Sequence, residues 1–362
     1  MRAGEVMRRR MRASRLVGSG FGEPADVVRH HGAMQAQDYA PAKWSIGQRA
    51  RDLADADVDA AIADGSIVRT HVLRPTWHFV AREDLRWLLA LTGPRVEQRS
   101  APRYRDLGLD ARTLVRCERA IVRALEGGNH LTREAIGDAL HVARIDTSGQ
   151  RLPWVLMHCE LEALICSGPR AGKHHTYALF DERVPAAAAL DRDDALVELA
   201  RGYLASHGPA TVRDLSWWSS LPVADLRRAL HDLDAREESV DGVALWSIDG
   251  DSKRAPTLRG VRLLQPYDEL VVGYTESRYL GDPRRDAALA AWRDRTLPNG
   301  IVLVNGRLGG FWRRRVAGKW LSADVVLYDD LSPAQAPVLD AEIRRLSRFV
   351  GGPVRTEIRR LN

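Results

Sequence analysis

Ile67-Val-Arg69-Thr-His71-Val-Leu-Arg74-Pro-Thr-Trp77-His78-Phe-Val80 reads as two β-rich runs, 67–72 and 76–80, joined around Arg74-Pro75. Three helical stretches precede it. Residues 23–34 form the first. Residues 41–51 form the second, with Pro41 in its first turn, and residues 55–64 the third, stopped by Gly65. The order is helix, helix, helix, hairpin.

The same order recurs downstream. Helices are expected over 114–126, from Leu131-Thr132 onward with Thr132 as cap, and over 153–163. Short strands at 164–167 and 176–180 flank a basic turn at 168–173. A third copy has helices at 195–206, 211–219 and 223–233, and a hairpin at 238–248 turning at Asp241-Gly242. Three helices followed by a β wing define a winged helix, so three tandem winged helices are expected. From about residue 255 the texture changes to short strands at 261–264, 270–274, 300–305 and 307–316, the last two turning at Asn305-Gly306. With a terminal helix over 333–349, that pattern predicts a small C-terminal β-barrel. The chain is therefore expected to be α+β, with winged-helix domains at 1–105, 106–188 and 189–252 and the barrel domain at 253–362.

Composition narrows the function. At 362 residues, with 45% hydrophobic and 28% charged, the chain suits two to four globular domains rather than disorder. No window approaches a membrane span, and the basic start lacks the apolar core of a secretory signal. A cytoplasmic, nucleoid-associated protein is expected. The formal charge is +6, and only four of the 54 cations are lysines: Lys43, Lys173, Lys253 and Lys319. Arginine is the cation suited to bidentate phosphate contacts. Two basic clusters stand out, Arg8, Arg9, Arg10, Arg12 and Arg15, then Arg307, Arg313, Arg314, Arg315 and Lys319. The second is the candidate DNA-binding set. A solvated helix or hairpin face is the competing reading of either cluster.

Most catalytic signatures are missing. There is no P-loop, no dinucleotide fingerprint and no zinc-spaced set of Cys or His. Cys117, Cys159 and Cys166 are too few for a disulfide framework or an iron–sulfur cluster, and no lysine stands in a Schiff-base motif. No metal and no cofactor are expected. The segment that resists a bland reading is Gln35-Ala36-Gln37-Asp38-Tyr39, between the first helix and the Pro-started second. In an extended stretch, residues two apart face the same way, so Gln35 and Gln37 converge while Ala36 points inward. Each carboxamide offers an acceptor and a donor without carrying charge. Two polar loop residues capping neighbouring helices would be the structural alternative.

With Trp44 and Gly47, and with Arg69 to His78 behind it, this run resembles the AlkZ/YcaQ-type DNA glycosylases. Supporting runs follow in order at 264–269, Leu-Gln-Pro-Tyr-Asp-Glu, and at 303–313, Leu-Val-Asn-Gly-Arg-Leu-Gly-Gly-Phe-Trp-Arg. The resemblance implies tandem winged helices with a C-terminal barrel and a glutamine–aliphatic–glutamine catalytic motif, here Gln35 and Gln37. Both glutamines are kept, as in the AlkZ branch. It further implies a monofunctional glycosylase that excises N7-alkylated guanine from double-stranded DNA, bulky adducts and interstrand crosslinks included. Gln35 and Gln37 are expected to orient the water with their carbonyls toward the developing sugar cation. Asp38 is the competing base, and His71 and His78 are expected neighbours of the site. A monomer wrapped around the duplex is expected, without membrane contact. The rival reading is a non-catalytic winged-helix DNA-binding protein or transcriptional regulator.

Overall fold

The computed structural model describes residues 3–248, 260–293, 300–317 and 320–361. The first group of elements is α1 (Ala3–Ala13), α2 (Pro24–His31), β1 (Met34–Gln35), α3 (Tyr39–Gly47), α4 (Asp55–Ala63), β2 (Ile67–Val72) and β3 (Arg74–Ala81). Its antiparallel sheet has the order β1-β3-β2. A 25-residue helix, α5 (Arg82–Asp106), leads out of it.

The second group runs α6 (Ala111–Leu125), β4 (Leu131–Thr132), α7 (Arg133–Val142), α8 (Arg151–Leu161), β5 (Ile165–Ser167), β6 (Thr176–Leu179) and α9 (Phe180–Arg183), with sheet order β4-β6-β5. Thr132 caps α7 as expected, its hydroxyl accepting from Ala135 N at 3.2 Å. The third group is α10 (Arg192–His207), α11 (Val212–Ser219), α12 (Val223–Asp232), β7 (Arg236–Val240) and β8 (Val243–Ser247). Thr211 and Asp214 form a reciprocal capping box at the start of α11. Asp241 and Gly242 turn the β7–β8 hairpin with φ of 50° and 78°, the left-handed pair that its twist requires.

The C-terminal part corrects two expectations. It contains β9 (Val261–Leu264), α13 (Glu269–Val272), α14 (Arg285–Arg293), β10 (Gly300–Val304), β11 (Arg307–Ala317), β12 (Trp320–Leu327), α15 (Ala336–Val350) and β13 (Val354–Arg360). Its sheet is open, β13-β12-β11-β10-β9, and no closed barrel forms among the described residues. Closure is unnecessary because other elements bury its inner face. α15 crosses over to bring β13 parallel to β12, and Leu339, Leu346 and Phe349 on α15 share a core with Leu321, Ala323 and Val325. The apolar run 270–274 is helical at its start rather than a strand. The Asp268 carboxylate accepts from Leu270 N at 3.0 Å and so caps α13.

That core also takes in α2, α3 and α4, which welds the first group to the C-terminal sheet. Trp44 donates through Nε1 to Leu263 O at 2.9 Å and packs 5.3 Å from the Phe349 ring. Gly47 admits that ring, since a Cβ there would meet it at 2.5 Å. Arg345 closes the end of α3, donating to the carbonyls of Gly47, Gln48 and Ala50. Asp268 lies fully buried in a bidentate pair with Arg49 at 2.7 and 2.8 Å, and accepts from Ser45 as well. Burial alone would raise its pKa, but the guanidinium holds it below the ordinary carboxylate value.

Candidate active site

Gly32, at φ 69°, ends α2 and turns the chain into β1. Gln35 then lies opposite His78 of β3, and the ladder continues through Ala36 N to Trp77 O at 2.7 Å. Gln37 follows in the bend before α3. The two glutamines are held differently. Gln35 is 8% exposed and its Oε1 accepts from Arg74 Nη2 at 3.2 Å. Gln37 is exposed and its Oε1 accepts from Trp77 N at 3.3 Å. Both donors lie on β3, three residues apart.

Because a guanidinium and a backbone N–H can only donate, the oxygen of each carboxamide is identified by its partner. Each amide nitrogen is left without a protein acceptor among the described residues, and that of Gln35 reaches the surface despite the burial of the residue. The carbonyls expected to face a developing cation therefore already carry one internal hydrogen bond each. One lone pair remains on each oxygen.

Beneath Gln35 lies a polar network of which the sequence reading assigned only His78 to the site. Glu269, 1% exposed, accepts the backbone N–H of Gln35 at 2.6 Å, Trp218 Nε1 at 3.1 Å and His207 Nε2 at 3.2 Å. Arg74 also reaches Val272 O at 3.4 Å and the Nε2 of His78 at 3.4 Å. His78 Nδ1 lies 2.9 Å from Thr76 O, so that nitrogen carries the proton and Nε2 accepts from Arg74. Burial, then the Arg74 charge, hold the His78 pKa well below its ordinary value, and the imidazole is neutral. Glu269 and Arg74 both stood within the runs that carried the resemblance. The signal was an acid after a proline-containing turn and a cation at the hairpin bend.

The other expected neighbours divide. His71 is buried, its Nδ1 against the Glu160 carboxylate of α8 and its ring 4.6 Å from Trp77. Strand alternation puts it on the sheet face opposite Gln35. Asp38 is exposed; desolvation raises its pKa more than Arg314 and Arg69 lower it.

The basic run of the C-terminal sheet does not form one row. On β11, Arg313 and Arg315 are exposed on the outer face, with Arg315 Nε 2.8 Å from Asp324. Arg314 turns the other way and donates to Ala40 O at 3.2 Å, close to Asp38. Arg307 is exposed at the Asn305-Gly306 turn, eight residues back along the strand from Arg315, which is roughly 26 Å. Lys319 lies outside the described residues. In the N-terminal cluster, Arg10 is a packing residue, 1% exposed, stacked 3.9 Å over Tyr274 and bonded to Pro209 O and Ser277.

Glu97, His158 and Glu162 form a group of ligand-type atoms within 4.8 Å of one another. Burial would lower the His158 pKa, but the Glu97 carboxylate, 3.3 Å from Nδ1, and that of Glu118, hydrogen-bonded to Nε2 at 2.9 Å, raise it to about 9. It is an imidazolium between carboxylates. No described helix is long and apolar enough to cross a membrane.

Against known proteins, the profile of the family described as DNA glycosylase AlkZ-like matches residues 28–349. An interstrand DNA cross-link repair glycosylase of Streptomyces sahachiroi is 23% identical over 304 residues, 80% of this chain and 81% of that protein. The solved structure of Streptomyces sahachiroi DNA glycosylase AlkZ aligns with a TM-score of 0.81 at 23% identity, over 99% of this chain and 100% of that one.

Proposed function

The chain belongs to the AlkZ-like DNA glycosylase family, and from that premise we propose that it hydrolyses the N-glycosidic bond of N7-alkylated guanine in double-stranded DNA. Bulky adducts and interstrand crosslinks are within its range, as the name of the Streptomyces relative suggests. Gln35 and Gln37 are the catalytic pair.

Alkylation at N7 places a positive charge on the base, so it departs without prior protonation. What remains is to stabilise an oxocarbenium-like sugar and to hold a water against its anomeric carbon. Fixed dipoles serve both ends when they are preorganised. The observation that carries this reading is the anchoring of both carboxamides by groups that only donate, Arg74 to Gln35 and Trp77 N–H to Gln37. Each amide is held in one orientation, with one carbonyl lone pair and the amide N–H groups left for a water and a sugar. Neutral groups give modest acceleration, which suits a labile cationic purine and not an unmodified base.

The three helix-and-sheet groups are read as winged helices over 1–105, 106–188 and 189–252, which with the C-terminal unit at 253–362 curve around the duplex as a monomer. A crosslinked guanine is tied to the opposite strand and cannot be flipped fully into a pocket. An open, wrapped approach brings the glutamines to the sugar instead. Arg307, Arg313 and Arg315 meet phosphates with salt-dependent affinity, and the enzyme works on the nucleoid. Incubation with duplex containing N7-methylguanine, scored for alkali-labile abasic sites, tests the reading. Wild type is expected to produce them, and Gln37→Ala to lose most of the rate while still binding DNA. Equal rates for the two would remove the glutamine mechanism.

A further inference from the structure

Arg69 lies on β2. It is 9% exposed, and its Nε donates at 3.1 Å to the carbonyl of Ala36, the residue between the two glutamines. Its guanidinium carbon lies 4.4 Å over the Trp77 ring and 5.8 Å from that of Tyr39. Of the five N–H donors on a guanidinium, only the one on Nε is used. Among the described residues Arg69 makes no ion pair, and its two terminal nitrogens have no protein acceptor yet reach solvent. Arg170, from the β5–β6 connection, sits 5.0 Å over the same Tyr39 ring. A guanidinium whose terminal donors are bonded to no protein group and reach solvent is open to an incoming anion. The planar fork matches a phosphate in two-point contact. The ligand is not the damaged base, whose positive charge Arg69 would repel.

We propose that Arg69, on the sheet face of Trp77 and not on that of the Gln35 side chain, grips a phosphodiester flanking the nucleotide to be excised and thereby holds the strand across the Gln35–Gln37 segment. Trp77 and Tyr39 fix the plane of the guanidinium before DNA arrives, so the clamp is preorganised. This rests on the catalytic reading of the glutamines. It adds a substrate-anchoring residue on the first group's sheet, separate from the arginines of β11.

The test uses the full chain and duplexes carrying one N7-methylguanine, with the phosphodiester on its 5′ or 3′ side replaced by an uncharged methylphosphonate. One of the two replacements is expected to slow wild-type single-turnover excision by about 10- to 100-fold. Arg69→Gln is expected to slow the all-phosphate substrate by a similar factor, and the two losses together not to multiply. Arg69→Lys keeps the charge without the fork; it should fall between, coupled to the same phosphate, and it serves if the glutamine variant does not fold. Losses that multiply, or no loss at either replacement, overturn the proposal. The same cycle read as duplex affinity keeps this outcome separate from failure of the glutamine mechanism, which Gln37→Ala reports alone.

Discussion

The backbone N–H of Gln35 donates to the carboxylate of Glu269 at 2.6 Å, across 234 residues of chain. Through this bond the short strand that carries Gln35 is fixed to the C-terminal unit. The same carboxylate accepts from Trp218 of α11 and His207 of α10, so three separate parts of the chain meet at one buried acid. Glu269→Ala is expected to lower stability by about 3 kcal/mol or more, because several buried donors lose their acceptor together. Urea unfolding measures the loss. Retention of the wild-type midpoint would show that water replaces the carboxylate freely.

The two glutamines should respond unequally to truncation. Gln37 is exposed, so Gln37→Ala should leave the unfolding midpoint within about 0.5 kcal/mol of wild type. Gln35→Ala removes one acceptor of a buried guanidinium and should cost about 1–3 kcal/mol in addition to activity. Parallel denaturation of the two variants checks this; equal stability losses would contradict the anchoring described.

Arg49 and Asp268 form a second buried tie between the first group and the C-terminal sheet. Arg49→Met or Asp268→Asn alone should cost about 3–5 kcal/mol, since each strands a buried partner. The double variant should lose less than the sum. A double-mutant cycle in urea measures the coupling, and simple additivity would mean that the pair contributes nothing specific.

Much of this architecture was legible locally. Thr132, Asp241-Gly242 and Asn305-Gly306 act as a cap and turns because their effects are confined to one turn of chain. β13 was not legible. Its sequence, Val354 to Arg360, is mostly charged and exposed, and only a crossover through α15 gives it parallel register with β12. α5 was obscured by Pro94 and Pro102. The run at 270–274 was ambiguous because a short apolar stretch fits a strand or a helix, and the Asp268 cap decides it. At the site, the resemblance singled out the glutamine pair, since its spacing alone also fits two capping loop residues, while Glu269, although inside a matching run, was missed because its role depends on contacts with residues far away in sequence.

Stability should peak near pH 6.5. His31 and His78 have pKa values held well below ordinary by burial, and His175 is lowered to about 4 by burial with Arg69 and Arg170 nearby. Below about pH 6.5 the unfolded chain takes up protons that the folded chain refuses, so stability falls as pH falls. His158 acts in the opposite sense. Its pKa is raised to about 9, so its contribution is complete below about 6.5 and is lost as pH rises through 9. Urea midpoints at pH 5, 6.5 and 9 should trace this maximum, and His158→Gln should flatten the alkaline side only. An unchanged alkaline slope in that variant would mean that its carboxylate partners do not hold the proton.

The three consecutive arginines of β11 should separate by face. Arg313 and Arg315 lie on the outer face, and their replacement by alanine should weaken binding to damaged and undamaged duplex alike. Each lost phosphate contact should reduce the slope of log affinity against log salt by about 1. Arg314 instead holds Ala40 O beside the start of α3. Arg314→Ala should therefore act mainly on excision, by loosening the segment that carries Gln37 and Asp38, with little change in the salt slope. Affinity titrations over a range of salt concentrations, run beside single-turnover excision, distinguish the two effects. If all three variants shift the salt slope equally, strand alternation does not govern how this run meets DNA.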